Sequence, residues 1–586
     1  MTQVKWASAG KVLAVMALLI LMGGWLQVGG TSSQQSAYKY PAPRFPSSVK
    51  APKTVSEVMP YARALVRNKA AVQGFGLGVM KSGETVAHVV PEGANPIIME
   101  AIRRALLERK IKSVILHDYD LVGVSKQDAE AIYNFQHSWT AEDGFREAVG
   151  WFHVWPDPNV PKNWLKATRP DLYAALFPPH HVLPASLQPA MRTMTHDMSM
   201  SVGQAIVAYL NKHPEITGVF WGGGGSTGLR RSMHPYESKF LGIFPYWDRW
   251  SVMTEISSYP ADVWMLSEEK TIEPLAFVDK LHVTSPQGTD VSCNIPAEMA
   301  QRWARGVYQR GHLYMFPNQA DGRFPYSVVN YPSQQGTWDA RAPLALINGV
   351  VAGTDSVGGY VPLQKDYYKN GYISKVVGGG KYGEILRTFL KYPKINSANY
   401  PFEGAPGYFY LYEIALGTNP KWFISLDGMM HDNLATARMR SGVFHFGLGM
   451  RLWHDPSGPF ESPAWIAFTK KNNLPADHDF HLLNFFATYQ LHLRNTDKWV
   501  TEVDKGHMTS LDNPEVRALA SRYGDPNKIL TESWIPDFPG INSPGNFQEY
   551  ASDPWKHQLK VRSEILAGTY KYFYPRVAGK QVASNQ

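Results

Sequence analysis

The stretch PADHDFHLLNF, residues 475–485, interleaves Asp477 and Asp479 with His478 and His481. Imidazole and carboxylate are the usual ligands of zinc and iron. Crowding these groups together, in a chain with 19 histidines altogether, reads as a metal-binding patch. The competing reading is a solvated loop in which Asp477 or Asp479 caps a helix formed by FHLLNFFATYQLHL. Two other positions carry the same chemistry in apolar surroundings: His445 in GVFHFGLG and Glu413 in LYEIALG. A carboxylate buried in such a run is costly without a partner, so Glu413 implies either a cation or an ion pair with an arginine of the 438–440 stretch. For His445 the alternative is a hydrogen-bonded core histidine.

His-Asp pairs recur at 117–118, 196–197, 431–432 and 454–455. Phosphohydrolases of the HD type carry such pairs on helices. Here His117-Asp118 ends a strand-like run and His454-Asp455 precedes Pro456, so that placement fails. His196 and His234 are candidate substrate contacts. A glycine-rich GGGGSTG at 222–228 follows the strand-like TGVFW, but it lacks a GK[ST] ending and the G-x-G-x-x-G spacing, and a plain tight loop is the simpler reading. The net charge of +8 is dilute over 586 residues, and no dense Lys/Arg run exists to track phosphates, which argues against nucleic acid as a partner. The single cysteine, Cys293, excludes an internal disulfide and any cysteine-rich metal cluster.

The elements that must position these groups alternate in type. SEVMPYARALVRNKA is helical. GETVAHVV is a strand with Val86, His88 and Val90 on one face. Asn95 caps and Pro96 opens a helix through IIMEAIRRALLERK, and SVILH is a second strand. VGQAIVAYLNKH and TGVFW repeat the theme. Strand, helix, strand in succession implies an α/β fold with a doubly wound parallel sheet over residues 55–280. From 281 to 575 the texture is α+β: LHVTSPQGTDVSC reads as a hairpin turning at Pro286-Gln287-Gly288, INGVVAGTDSVGGYV and GYISKVVGGG as short strands, and KYGEILRTFLKY as a helix. Upstream, Lys5 and Lys11 precede an apolar run from Val12 to Val28, so residues 1–30 read as a signal peptide or a retained membrane anchor, and 31–54 as a linker. Either version places the chain in the periplasm or otherwise outside the cytoplasm, with inner-membrane anchoring as the second option.

In this order the motifs resemble the M29 metallo-aminopeptidases and the related 2,5-dihydroxypyridine dioxygenases. LGVMKSGETVAHVVPEGANPIIMEAIRRALLERKIKSVIL looks like that family's opening unit. LHVTSPQGTDVSC is similar to its RVTxPxGTDLT hairpin, YLYEIALGTNPK to ELGIGTNP, and GVFHFGLG to GTVHIALG. The resemblance spans about residues 60 to 485. It implies a metallopeptidase-like second domain, Glu413 and His445 at ligand positions, and the last ligands among His478, Asp479 and His481, where the family has H-x-D. It also implies a homodimer as the common assembly.

Two departures bear on the chemistry. Where the family places a ligand glutamate in PxGE, this chain has Gln334, Gln335 and Gly336, with Asp339 the nearest acid; where it places a catalytic acid, this chain has Arg438, Met439 and Arg440. A tyrosine that usually follows the histidine is replaced by MRLWH. Two dications need several carboxylates for balance, so the expectation is one divalent ion (zinc, cobalt or iron) or none. The readings are an exported hydrolase acting on a peptide or amide bond of a small peptide, a mononuclear Fe(II) dioxygenase acting on an aromatic substrate, and a non-catalytic periplasmic binding protein with a degenerate site.

Overall fold

The computed structural model describes residues 39–46, 52–71, 74–90, 92–137, 166–167, 170, 184–195, 198–221, 233–243, 255–304, 311–315, 346–356, 359–391, 411–424, 426, 434–449 and 479–574. Apart from two short two-stranded pairings, chain direction sorts the described strands into two sheets. In the first, β1 (Thr85–Val90) lies between β2 (Lys112–His117) and β3 (Ile216–Trp221), with β4 (Phe240–Ile243) outside β3, all parallel. Parallel strands need crossovers, and helices supply them. Helix α1 (Val55–Arg67) starts at Thr54, whose hydroxyl accepts from Glu57 N, and α2 (Pro96–Glu108) starts at Asn95, whose side chain accepts from Ile97 N at 2.9 Å. Val58, Ala62 and Leu65 of α1 and Ile98, Ile102 and Leu106 of α2 share one core with Val86 and Phe220. On the opposite face, Val202, Ile206 and Leu210 of α3 (Met198–Lys212) pack on Ala87, Val89, Val219 and Trp221. With cores on both faces, every residue of β1 is buried, including His88.

The second sheet is larger and antiparallel. After α4 (Ala261–Ile272), the chain forms β5 (Val278–Thr284) and β6 (Asp290–Asn294), the expected hairpin. Its turn closes through Ser285 N donating to Thr289 O and Gly288 N to Ser285 O, with Gly288 at φ 107°, where glycine is favoured. Strands β7 (His312–Met315), β8 (Asn348–Ser356), β9 (Gly359–Lys369) and β10 (Tyr372–Gly378) follow, then α5 (Gly380–Leu390), β11 (Leu411–Gly417), β12 (Phe444–Gly449), β13 (Asp479–Asn484), β14 (Thr488–Leu493), β15 (Trp499–Asp504) and β16 (His507–Met508). The order across the sheet is β7-β11-β12-β13-β8-β6-β5-β14-β15-β16, with β9 and β10 attached beyond β8.

The helix considered for FHLLNFFATYQLHL does not form. Residues 479–493 are the two strands β13 and β14, and Leu482 and Leu483, on opposite faces, are both buried. A strand covered on both sides presents an unbroken apolar run, which periodicity alone cannot separate from a buried helix. One face of the sheet carries Leu448, Phe446 and Leu482 into the main core. The other carries Val443, Leu483 and Phe485 against Trp534, Phe538 and Tyr550 of a C-terminal layer. No helix among the described residues is long and apolar enough to cross a membrane, and the 12–28 run lies outside them.

Candidate functional site

Antiparallel register decides which residues meet. His445 on β12 stands opposite Ala415 on β11 and Leu483 on β13, and His481 on β13 stands opposite Gly447 on β12. Directly paired residues share a face, as do residues two apart along a strand, so His445 and His481 belong to the same face. His312, which opens β7, stands opposite Gly417, two positions along from Ala415. Three histidines more than 30 positions apart in the chain therefore arrive together from three strands.

The geometry is close. The rings of His445 and His481 have centroids 3.8 Å apart, and those of His312 and His445 are stacked at 5.1 Å. His312 Nε2 lies 3.0 Å from His445 Nδ1, a hydrogen bond in which one ring donates and the other accepts. All three are sealed from solvent, with exposures of 1%, 0% and 1% for His312, His445 and His481. Burial first, then the positive charge of Arg438 and the neighbouring His481, hold the His312 imidazole well below its usual range, so it is neutral.

Neighbouring elements lock this arrangement. From α4, the buried Glu268 carboxylate accepts from Gly311 N, just before His312, at 2.7 Å and from the Thr418 hydroxyl, just after β11, at 2.7 Å; Trp264 Nε1 donates to the same hydroxyl. From α5, Tyr382 donates its hydroxyl to His481 O and accepts from His481 N, clamping both backbone groups of that residue. Gly417 must lack a side chain, because a Cβ there would stand 2.1 Å from Arg440 O and 2.3 Å from Arg438 O. The two arginines separate in role. Arg440 is buried and points away, donating Nε to Trp534 O and Nη1 to Gly506 O, and burial lowers its pKa to about 10. Arg438 acts on His312 through its charge.

Of the residues singled out from sequence, His445 and His481 meet. Glu413 occupies β11 opposite Gly447, and Asp479 opens β13 opposite Gly449; their backbone positions border the histidines, and their side chains fall outside the described set. His478, His196, the 222–228 loop and 334–339 also lie outside the described residues. His117 ends β2 and His234 is exposed, bonded to Glu237, and both belong to the region of the parallel sheet rather than to the histidine cluster. His312, Glu268 and Tyr382 as supports were not legible; each becomes relevant only through long-range pairing, whereas Arg438 was singled out from the sequence. The imidazoles are the right donors for zinc, cobalt or iron, yet among the described residues no three His, Cys, Asp or Glu side chains are arranged as a ligand set. The nitrogen half of a site fits, and a carboxylate complement would have to come from Glu413 and Asp479.

No family profile and no curated protein matches the chain. Among solved structures, it is similar to 2,5-dihydroxypyridine dioxygenase from Pseudomonas putida, at 13% identity and TM-score 0.36, covering 79% of this chain and 99% of that one. It is also similar to AmpT from Thermus thermophilus, at 13% identity and TM-score 0.34, covering 76% of this chain and 98% of that one. At these values the similarity extends to neither the residues nor the chemistry of this chain.

Proposed function

We propose that this chain is a metal-dependent enzyme, acting outside the cytoplasm on a peptide or amide bond of a small peptide. In this reading His445 and His481, with Glu413 and one of His478 and Asp479, hold one divalent cation. The observation that carries it is the convergence of three buried histidines from three strands at one place on the sheet. Burying three imidazoles side by side is a costly way to build a core, and a cation gives the arrangement a purpose. A bound dication would supply Lewis acidity toward a carbonyl or toward water. The chain's own part is to orient the imidazoles through β12 and β13 and to exclude water. The charge of Arg438 beside the cluster opposes a second cation, so the reading is mononuclear.

That mononuclear character also favours a second reading, an Fe(II) oxygenase acting on an aromatic ring, since such centres need two imidazoles and one carboxylate. Metal content at stoichiometric precision, on protein purified without chelator, tests both. The expected result is one equivalent of metal in the wild type and none in His445→Ala. Release of amino acids from short peptides with zinc or cobalt supports the hydrolase, whereas oxygen uptake that requires ferrous iron supports the oxygenase. A metal-free wild type with unchanged stability in His445→Ala would leave the non-catalytic binding protein as the surviving reading.

A further inference from the structure

The hydrogen bond between His312 and His445 has a direction, and the direction decides what His445 can do. In their neutral forms, two imidazoles joined through one nitrogen each admit two arrangements. If His312 donates Nε2–H, His445 must carry its own proton on Nε2 and presents a donor on that side. If His445 donates Nδ1–H, its Nε2 bears the lone pair, and His312 is the tautomer protonated on Nδ1. Ligand histidines use the second pattern, giving the remote N–H to an acceptor that fixes ring and tautomer.

We infer that His312 is a positioning residue whose Nε2 accepts the Nδ1 proton of His445 and thereby presents the lone pair of His445 Nε2 to a cation. Both the choice of tautomer and the importance of that lone pair rest on the proposed metal reading; the hydrogen bond between the two rings does not. The strand between them is built for the contact. β7 and β12 are both paired to β11, so they stand on the order of 10 Å apart, and imidazoles can meet across such a gap only over small residues. The intervening positions are Ala415, opposite His445, and Gly417, opposite His312. On the other side of His312, Glu268 holds Gly311 N, which fixes where the strand begins and so where the ring can reach.

The test separates tautomer from metal. The full chain, labelled with 15N in its histidine rings and stripped of metal, is studied by long-range 1H–15N correlation, with the His445 signal assigned by its loss in His445→Gln. The expected state of His445 is Nδ1–H in the wild type and in His312→Gln, whose amide oxygen replaces the acceptor, with a shift toward Nε2–H in His312→Leu. Cobalt titration of the same proteins is expected to give similar affinity for wild type and His312→Gln and about 10–100-fold weaker binding for His312→Leu. An Nε2–H state in the wild type overturns the inference, and so does undiminished cobalt affinity in His312→Leu. A wild type that binds neither cobalt nor zinc overturns the proposed function instead, while the tautomer measurement still decides the role of His312. Should His312→Leu fail to fold, the wild type and His312→Gln carry the test alone.

Discussion

Single residues show how far burial rewrites ordinary acid–base behaviour here. Neutral His312 has its counterpart in Asp355, on the row that runs Tyr360, Asp355, Leu483, His445, Ala415 across five strands. Burial pushes the Asp355 carboxyl up to about 7, against the opposing effect of the Thr354 hydroxyl, which donates to it at 2.7 Å. A raised carboxylate pKa means that the folded state keeps a proton the unfolded state has lost, so stability falls as pH rises from the unfolded value near 4 to about 7, and levels off above. Asn at this position stays neutral and can still accept from Thr354. Asp355→Asn is therefore expected to match the wild type at pH 4 and to gain up to about 4 kcal/mol over it at pH 8. Denaturant unfolding at the two pH values measures this, and equal differences at both would show that the carboxyl is ionised in the fold.

At the scale of elements, register carries the site. His445 was singled out because its surroundings, VFHFGLG, read as a strand and stand in order with the other motifs of the resemblance, although the residues alone also allowed a core histidine. His312 was not, because nothing local in GHLYM distinguishes a cluster histidine from any other; only the pairing of β7 with β11 gives it its place. The same limit explains the mistaken helix alternative for 479–493, whose apolar run fits both types of element until the neighbours on each face are known. Gly417 is the element-level feature most open to test. It stands at the end of β11, where the carbonyls of Arg438 and Arg440 press against the backbone, so any side chain must push those two residues, or β11 itself, outward. Gly417→Ala is expected to lower stability by about 1–3 kcal/mol, as overpacking does, and to weaken any metal binding because His312 shifts with its partner strand. A denaturant midpoint equal to that of the wild type would mean that the loop at 438–440 yields freely.

For the whole molecule, three strands of the parallel sheet with the helices beside them, and the hairpin and short strands between residues 278 and 378 of the second sheet, were readable from alternation, caps and turns, since those signals are local. The C-terminal layer was not, because it owes its shape to contacts between distant parts of the chain. Residues 39–46, which read as linker, belong to that layer. Arg44 exchanges backbone hydrogen bonds with Ile535, Phe45 N donates to Tyr572 O, and Phe45–Pro46 pairs in parallel with Phe573–Tyr574. Arg44 Nη1 donates to Glu532 O, Asn542 Nδ2 donates to Pro41 O, and Phe45 is buried at 3% exposure against the edge of Phe423. The same layer packs Trp534 and Phe538 onto Val443 and Phe485, beside His445 and on its face of the sheet. Loosening the arm should therefore reach the site through that layer rather than through the parallel sheet. Removing residues 1–46, or introducing Phe45→Ala, is expected to cost about 3–5 kcal/mol. In Phe45→Ala, hydrogen exchange should quicken at Ile535 and Val443 and stay slow in β1 and β3. Uniform quickening across both sheets would instead make the arm a support of the entire fold, with no special line to the histidines.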